Sequence, residues 1–327
     1  MKNLLEFEGS LLKDGTFIVS PYDLSKSSFP DDIEPLTNNS ILNQSFVSFS
    51  VDYSRIAHLV VINGMGVTLG DSIIGISILD VIKKLNENIK ISVIRPASAP
   101  KYVDEVYLLA SDVIDEVFYM PFDVNDVTGD VIIDIGNQLY RPEFHTMEMH
   151  DFFYKYIGLD STPKVISLLN NSWLKNVPLD NVFLNRYVLF SPLSSTKIRS
   201  IPEQFYFDIV DALAKKTGKQ VVGFVDVEHP KYRNVLNFSK STKDFVSIIK
   251  NAEYVYTCDS ATLHIAAAFN IPTQCIFNTI KPELRVKYYN NIESVYIGDE
   301  LLTGVQNSDD KYLLEHVKFR FKENFHV

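Results

Sequence analysis

Apolar and polar positions change rhythm twice along the chain. Residues 1–50 carry only short apolar pieces, Phe17 to Val19 and Phe46 to Val51, around a Ser/Asn/Asp/Pro-rich middle from Ser25 to Asn43. That pattern predicts an appended β-rich or loop-rich element. From Ala57 a new rhythm starts. AHLVVIN reads as a buried strand followed by a Gly-rich turn. Residues 71–86 then place Ile74, Ile78, Val81, Ile82 and Leu85 on one helical face. Strands are predicted at 91–95, 115–120 and 130–135, with helices at 101–111 and 146–158. Leu174 to Asn185 reads as a linker, after which the alternation restarts. RYVLF, 219–225, EYVYTC and PTQCIF are strands, 202–217, 242–250 and 260–269 are helices, and 310–322 is a terminal helix.

Repeated βαβ alternation implies parallel sheets covered on both faces. The expected fold class is α/β, with two Rossmann-like doubly wound domains and a ligand cleft. The expected divisions are 1–50 as an N-terminal extension, 51–178 as the first domain, 186–305 as the second and 306–327 as a C-terminal helix. Apolar residues make up 46% of the 327, enough for two real cores. No apolar run is long enough to span a bilayer, because Asn63, Gly64, Gly66, Gly70 and Asp71 interrupt the most apolar region. The start does not read as a secretory signal, and Cys258 and Cys275 suggest no disulfide framework, so a cytoplasmic location is expected. Peripheral contact with the inner membrane is left open for HVKFRFKENFHV, which also reads as a solvated helix face.

Charge separates the halves. Residues 1–178 carry −11 and residues 179–327 carry +1. The acidic half repels polyanions, which argues against nucleic acid as a partner, and the near-neutral half is the better host for an anionic ligand.

Three stretches carry candidate chemistry. In NGMGVTLGDSIIG, Gly66 and Gly70 lie in a strand-to-helix turn that lets a ligand approach the backbone. Asp71 reads there either as a helix N-cap or as a general base for an acceptor hydroxyl. The spacing is one residue off the dinucleotide fingerprint, so NAD is a poor reading. In FSPLSSTKIRSIP, Ser194, Ser195 and Thr196 supply hydroxyls and Arg199 a fixed charge, which suits a diphosphate but also fits an ordinary polar loop. In YTCDSATLHIAAAF, Asp259 ends a strand, and the amides of Ser260, Ala261 and Thr262 open a small-residue helix, an anion site by dipole and free N–H groups. His264 on its second turn reads as a satisfied half-buried histidine when taken alone. Glu228 could accept from a ribose hydroxyl. There is no D-x-D pair and no zinc spacing, so no metal or other cofactor is expected.

Read together, Leu69-Gly70-Asp71, the Ser194–Pro202 loop and Asp259 through Ala266 resemble, in order and spacing, the heptosyltransferase family of GT-B glycosyltransferases. The resemblance implies inverting, metal-independent sugar transfer, with Asp71 as general base and Arg199 near the donor phosphates. It places Ser194, Ser195, Asp259, Ser260, Ala261, Thr262 and His264 around a nucleotide-diphosphate sugar, such as an ADP-linked heptose. The acceptor would be a glycan, as in lipopolysaccharide biosynthesis, or a lipid-linked or protein acceptor. Ala261 stands where the family has glycine and Ile201 where it has an aromatic, and the first fifty residues have no family counterpart. Ala261 keeps alive the alternative of a non-catalytic or epimerase-like nucleotide-sugar-binding protein of the same fold.

Overall fold

The computed structural model describes residues 3–26, 32–169, 171–180 and 186–324. The end of the expected linker, 181–185, and the last three residues of the terminal segment lie outside them. The chain divides into two compact units, Met1–Leu169 and Asn170–Val327.

The first unit opens with β1 (Leu11–Lys13), β2 (Phe17–Val19), a one-turn helix α1 (Pro21–Leu24), β3 (Ile33–Pro35) and β4 (Ile41–Leu42). Asp14 and Gly15 both take positive φ, 54° and 63°, and close the β1–β2 hairpin with a turn whose twist matches that of its strands. The chain continues through β5 (His58–Ile62), α2 (Leu69–Leu85), β6 (Lys90–Arg95), α3 (Lys101–Leu109), β7 (Glu116–Tyr119), β8 (Phe122–Asp123), β9 (Val131–Asp134), α4 (Met149–Tyr156) and α5 (Pro163–Ser167). A parallel sheet runs β4-β9-β5-β6-β7. A second sheet, β3-β1-β2-β8, is antiparallel.

The two sheets share a core in which Ile18 and Leu36 pack with Val60, Ile62, Ile94, Met120 and Ile132. The described part of residues 1–50 holds four short strands joined by loops and is integral to the first unit: β4 extends its parallel sheet and β1 to β3 cover one face. α2 is buried along nearly every side from Ser72 to Ile82, so its apolar surface is wider than the single stripe read from the sequence.

The second unit begins earlier than the expected linker, with Trp173 and Leu174 already buried. It contains β10 (Tyr187–Ser191), α6 (Tyr206–Thr217), β11 (Val221–Gly223), β12 (Tyr232–Asn234), α7 (Thr242–Lys250), β13 (Ala252–Cys258), α8 (Ala261–Ala268), β14 (Thr273–Phe277), β15 (Ile292–Tyr296) and α9 (Lys311–Glu323). Its sheet is entirely parallel, in the order β12-β11-β10-β13-β14-β15. β10, β11 and β14 are buried at every residue, as parallel strands covered on both faces require. Among the described residues no helix is long and apolar enough to cross a membrane.

Candidate active site

In an open parallel sheet the ligand crevice lies beyond the carboxyl ends of the two strands where the strand order reverses. In the second unit these are β10 and β13. The loop after β10 holds Ser194, Ser195, Thr196 and Arg199, and Asp259 and Ser260 follow β13. Asp259 is buried and organises the group. Its Oδ2 lies 3.2 Å from Arg199 Nη1 and its Oδ1 lies 4.0 Å from Arg285 Nε. Its carbonyl accepts from Ser194 Oγ at 2.7 Å. The Arg199 fork also donates to Ser195 Oγ at 2.6 Å and to Thr196 Oγ1 at 3.2 Å. Two guanidinium groups thus share one carboxylate and leave a local excess of one positive charge.

The neighbouring helix adds to that excess. Ser260 is the N-cap of α8 but makes no side-chain capping bond. Its hydroxyl lies 3.3 Å from Thr257 Oγ1 instead. Thr262 Oγ1 pairs with Ser191 Oγ at 2.9 Å, which pins the first turn to β10. The positive end of α8 therefore opens beside the Asp259–arginine group without a capping bond from its N-cap side chain. Buried Ala266 and Ala268 let α8 lie against β13 and β14.

The first unit reverses its strand order between β5 and β9. Here Asp134 ends β9 and is buried. It accepts from Ser10 N at 2.7 Å, Ser10 Oγ at 2.8 Å, and Asn43 Nδ2 and Asn63 Nδ2, both at 3.2 Å. Arg141 is nearby, donating to the Glu8 carbonyl at 2.9 Å and lying 4.1 Å from the Tyr156 ring centre. Burial pushes its guanidinium pKa down, and the charge of Asp134 acts in the other direction. Gly136, at φ 67°, allows this close seating, since a Cβ there would collide with the Glu8 carbonyl. The carboxyl side of β9 is thus occupied by the chain's own N-terminal segment.

On the β5 side, Gly66 takes φ 112°, a conformation open to glycine, and a Cβ there would meet the Asp71 side chain. α2 starts at Leu69 with Thr68 as N-cap, so Asp71 is its third residue rather than the cap. Gly70 precedes it within the first turn.

No family model matches the sequence, and no curated protein matches it either. Solved structures do. A glycosyl transferase family 9 protein from Veillonella parvula DSM 2008 aligns at 13% identity over 84% of this chain and 98% of its own, with a TM-score of 0.52. The dodecameric iron-containing heptosyltransferase TibC, in complex with ADP-D-β-D-heptose, aligns at 13% identity over 85% of this chain and 77% of its own, with a TM-score of 0.55. The chain has the GT-B glycosyltransferase fold.

In this GT-B chain the second unit brings Ser194, Ser195, Thr196, Arg199, Asp259, Ser260, Ala261 and Thr262 to one switch point. Two predicted residues stand apart from the arginine cluster. Glu228 is exposed in the β11–β12 connection. The His264 ring is buried, with Nδ1 2.8 Å from the Tyr289 hydroxyl, which also accepts from Asn171. Gly66, Gly70 and Asp71 gather at the β5–α2 turn of the other unit. Sequence reasoning missed Arg285 and Asn278. Asn278 donates to the carbonyls of Ile198 and Ser200 at 2.9 and 3.0 Å, which ties the β10 loop to the end of β14. An asparagine directly after a buried strand was the available signal. For Arg285, inside KPELRVK, there was none.

Proposed function

We propose that this protein is an inverting glycosyltransferase that uses a nucleotide-diphosphate sugar and needs no metal. One observation carries the reading: Arg199 and Arg285 converge on a single buried carboxylate beside the uncapped amino end of α8. When the bond between the anomeric carbon and the diphosphate oxygen breaks, the electron pair leaves with the diphosphate. Fixed guanidinium groups and helix amides stabilise that growing charge, as a divalent ion does elsewhere. Asp71 takes the proton of the acceptor hydroxyl, whose oxygen forms the new bond with inversion. Ser194, Ser195 and Thr196 complete the donor loop. The acceptor is a glycan or another envelope component.

ADP-linked heptose is the first donor to try, because it is the ligand of the similarly folded TibC. A panel of nucleotide-diphosphate sugars should be turned over with chelator present, releasing nucleoside diphosphate and an inverted product. A need for added divalent metal, or retention at the anomeric carbon, would defeat the mechanism. A second reading, a binding protein without chemistry, draws on Ala261, whose methyl stands at the first residue of α8. It predicts donor binding with no turnover of any panel member.

A further inference from the structure

We infer that Arg285, rather than Arg199, is the guanidinium that grips the donor's diphosphate, and that Asp259 and Arg199 form the frame that aims it. This rests on the donor reading proposed above. The two arginines differ in how much of each fork is already engaged. Arg199 uses Nε, Nη1 and Nη2 on Thr196, Asp259 and Ser195, all within 3.2 Å. The Arg285 side chain makes one hydrogen bond among the described residues, from Nη1 to the Leu284 carbonyl at 2.9 Å, and its ion pair with Asp259 is longer, at 4.0 Å.

A guanidinium carries five N–H donors in a fixed fork, so most of Arg285's remain available. Yet its side chain is only 8% exposed and lies against Asp259, the residue that precedes the α8 N-cap. The loop that carries it is closed by a local turn. The turn Pro282–Leu284 follows β14, and the Arg285 amide donates to the Pro282 carbonyl at 2.8 Å. On the same loop the Thr279 hydroxyl is buried with no hydrogen-bond partner among the described residues, a second group that lacks a ligand. A planar, bidentate donor with most of its N–H groups unengaged suits a diphosphate better than a monophosphate, which presents only one phosphoryl group.

The test is calorimetry on the full chain with ADP, UDP and GDP and their monophosphates, for wild type, Arg285→Ala, Arg285→Lys and Arg199→Ala. For the diphosphate that wild type binds best, Arg285→Ala should lose ~10- to 100-fold in affinity, while the matching monophosphate loses much less. Arg285→Lys should recover only part, since an ammonium is a point charge. Equal losses for di- and monophosphate would mean a structural role and would overturn the inference. So would an Arg285→Ala affinity equal to wild type's, with the loss falling on Arg199→Ala instead; the donor reading would survive both results. Wild type that binds no nucleoside diphosphate would end the donor reading itself. If Arg285→Ala does not fold, Arg285→Gln keeps the stem, removes the charge and allows the same comparison.

Discussion

The two parallel sheets of this chain pose the same problem at the same place and solve it in opposite ways. Each ends a strand at its switch point with a buried aspartate, Asp134 on β9 and Asp259 after β13. Asp134 is met by neutral donors, Ser10, Asn43 and Asn63, with Arg141 as the nearby cation, so the cluster is balanced. Asp259 is met by two arginines and keeps an uncompensated positive charge. The β9 side of the first crevice is satisfied from within the chain, and the second crevice is left short of an anion. Fold places a crevice, but the residues that meet its carboxylate decide whether it is sealed or receptive.

The comparison is open to attack at several points. The largest effect is expected from the first unit's turn. Asp71→Asn should lower turnover ~100- to 10,000-fold while nucleoside diphosphate affinity stays within about twofold, measured by steady-state assay and calorimetry. A parallel loss of affinity would show that the donor site is not confined to the second unit.

Next comes the sealed cluster. Asp134→Ala strands buried donors of Ser10, Asn43 and Asn63 and should destabilise the first unit by ~2–4 kcal/mol in urea unfolding, with diphosphate binding unchanged. A loss below about 1 kcal/mol would mean that the N-terminal segment is not held by this network.

The smallest effect concerns acid. The Lys155 ammonium, bonded to Glu143 at 2.6 Å, lowers the Glu143 carboxyl from 4.5 to about 2, with help from the Tyr156 hydroxyl. A depressed folded-state value means that this pair stabilises above pH 4.5 and fades as pH falls toward 2. Both side chains are about a third exposed, so the contribution should be under ~1 kcal/mol. In acid titrations of stability, Glu143→Gln should flatten the slope in that window, and an unchanged slope would remove the pair from the account.

The second unit was the more legible in sequence. Its buried parallel strands are continuous apolar runs, and α7 and α8 lie within a residue or two of the helices their periodicity predicts. Short strands escaped. β4 and β8 have two residues each, and edge strands β12 and β15 mix apolar and polar side chains whose exposure only the finished sheet decides. The Asp14-Gly15 pair was a readable hairpin signal that the composition of its surroundings masked. At the site, motif residues could be picked out because their types announce chemistry. Arg285 could not, because it shares a loop with Lys281, Glu283 and Lys287 and its charge gains meaning only through burial near Asp259. Asp134 was read merely as part of a strand, since its partners Ser10 and Asn43 are 124 and 91 residues away.

That separation has a bearing on synthesis. The hairpin β1–β2 leaves the ribosome before its partners, since β2 pairs with β8, β4 pairs with β9 and Ser10 rests on Asp134. This segment must wait for more than a hundred further residues before its seat exists. At ~5–20 residues per second that is a delay of several seconds or more, during which the open edges of the hairpin need shelter from neighbouring chains.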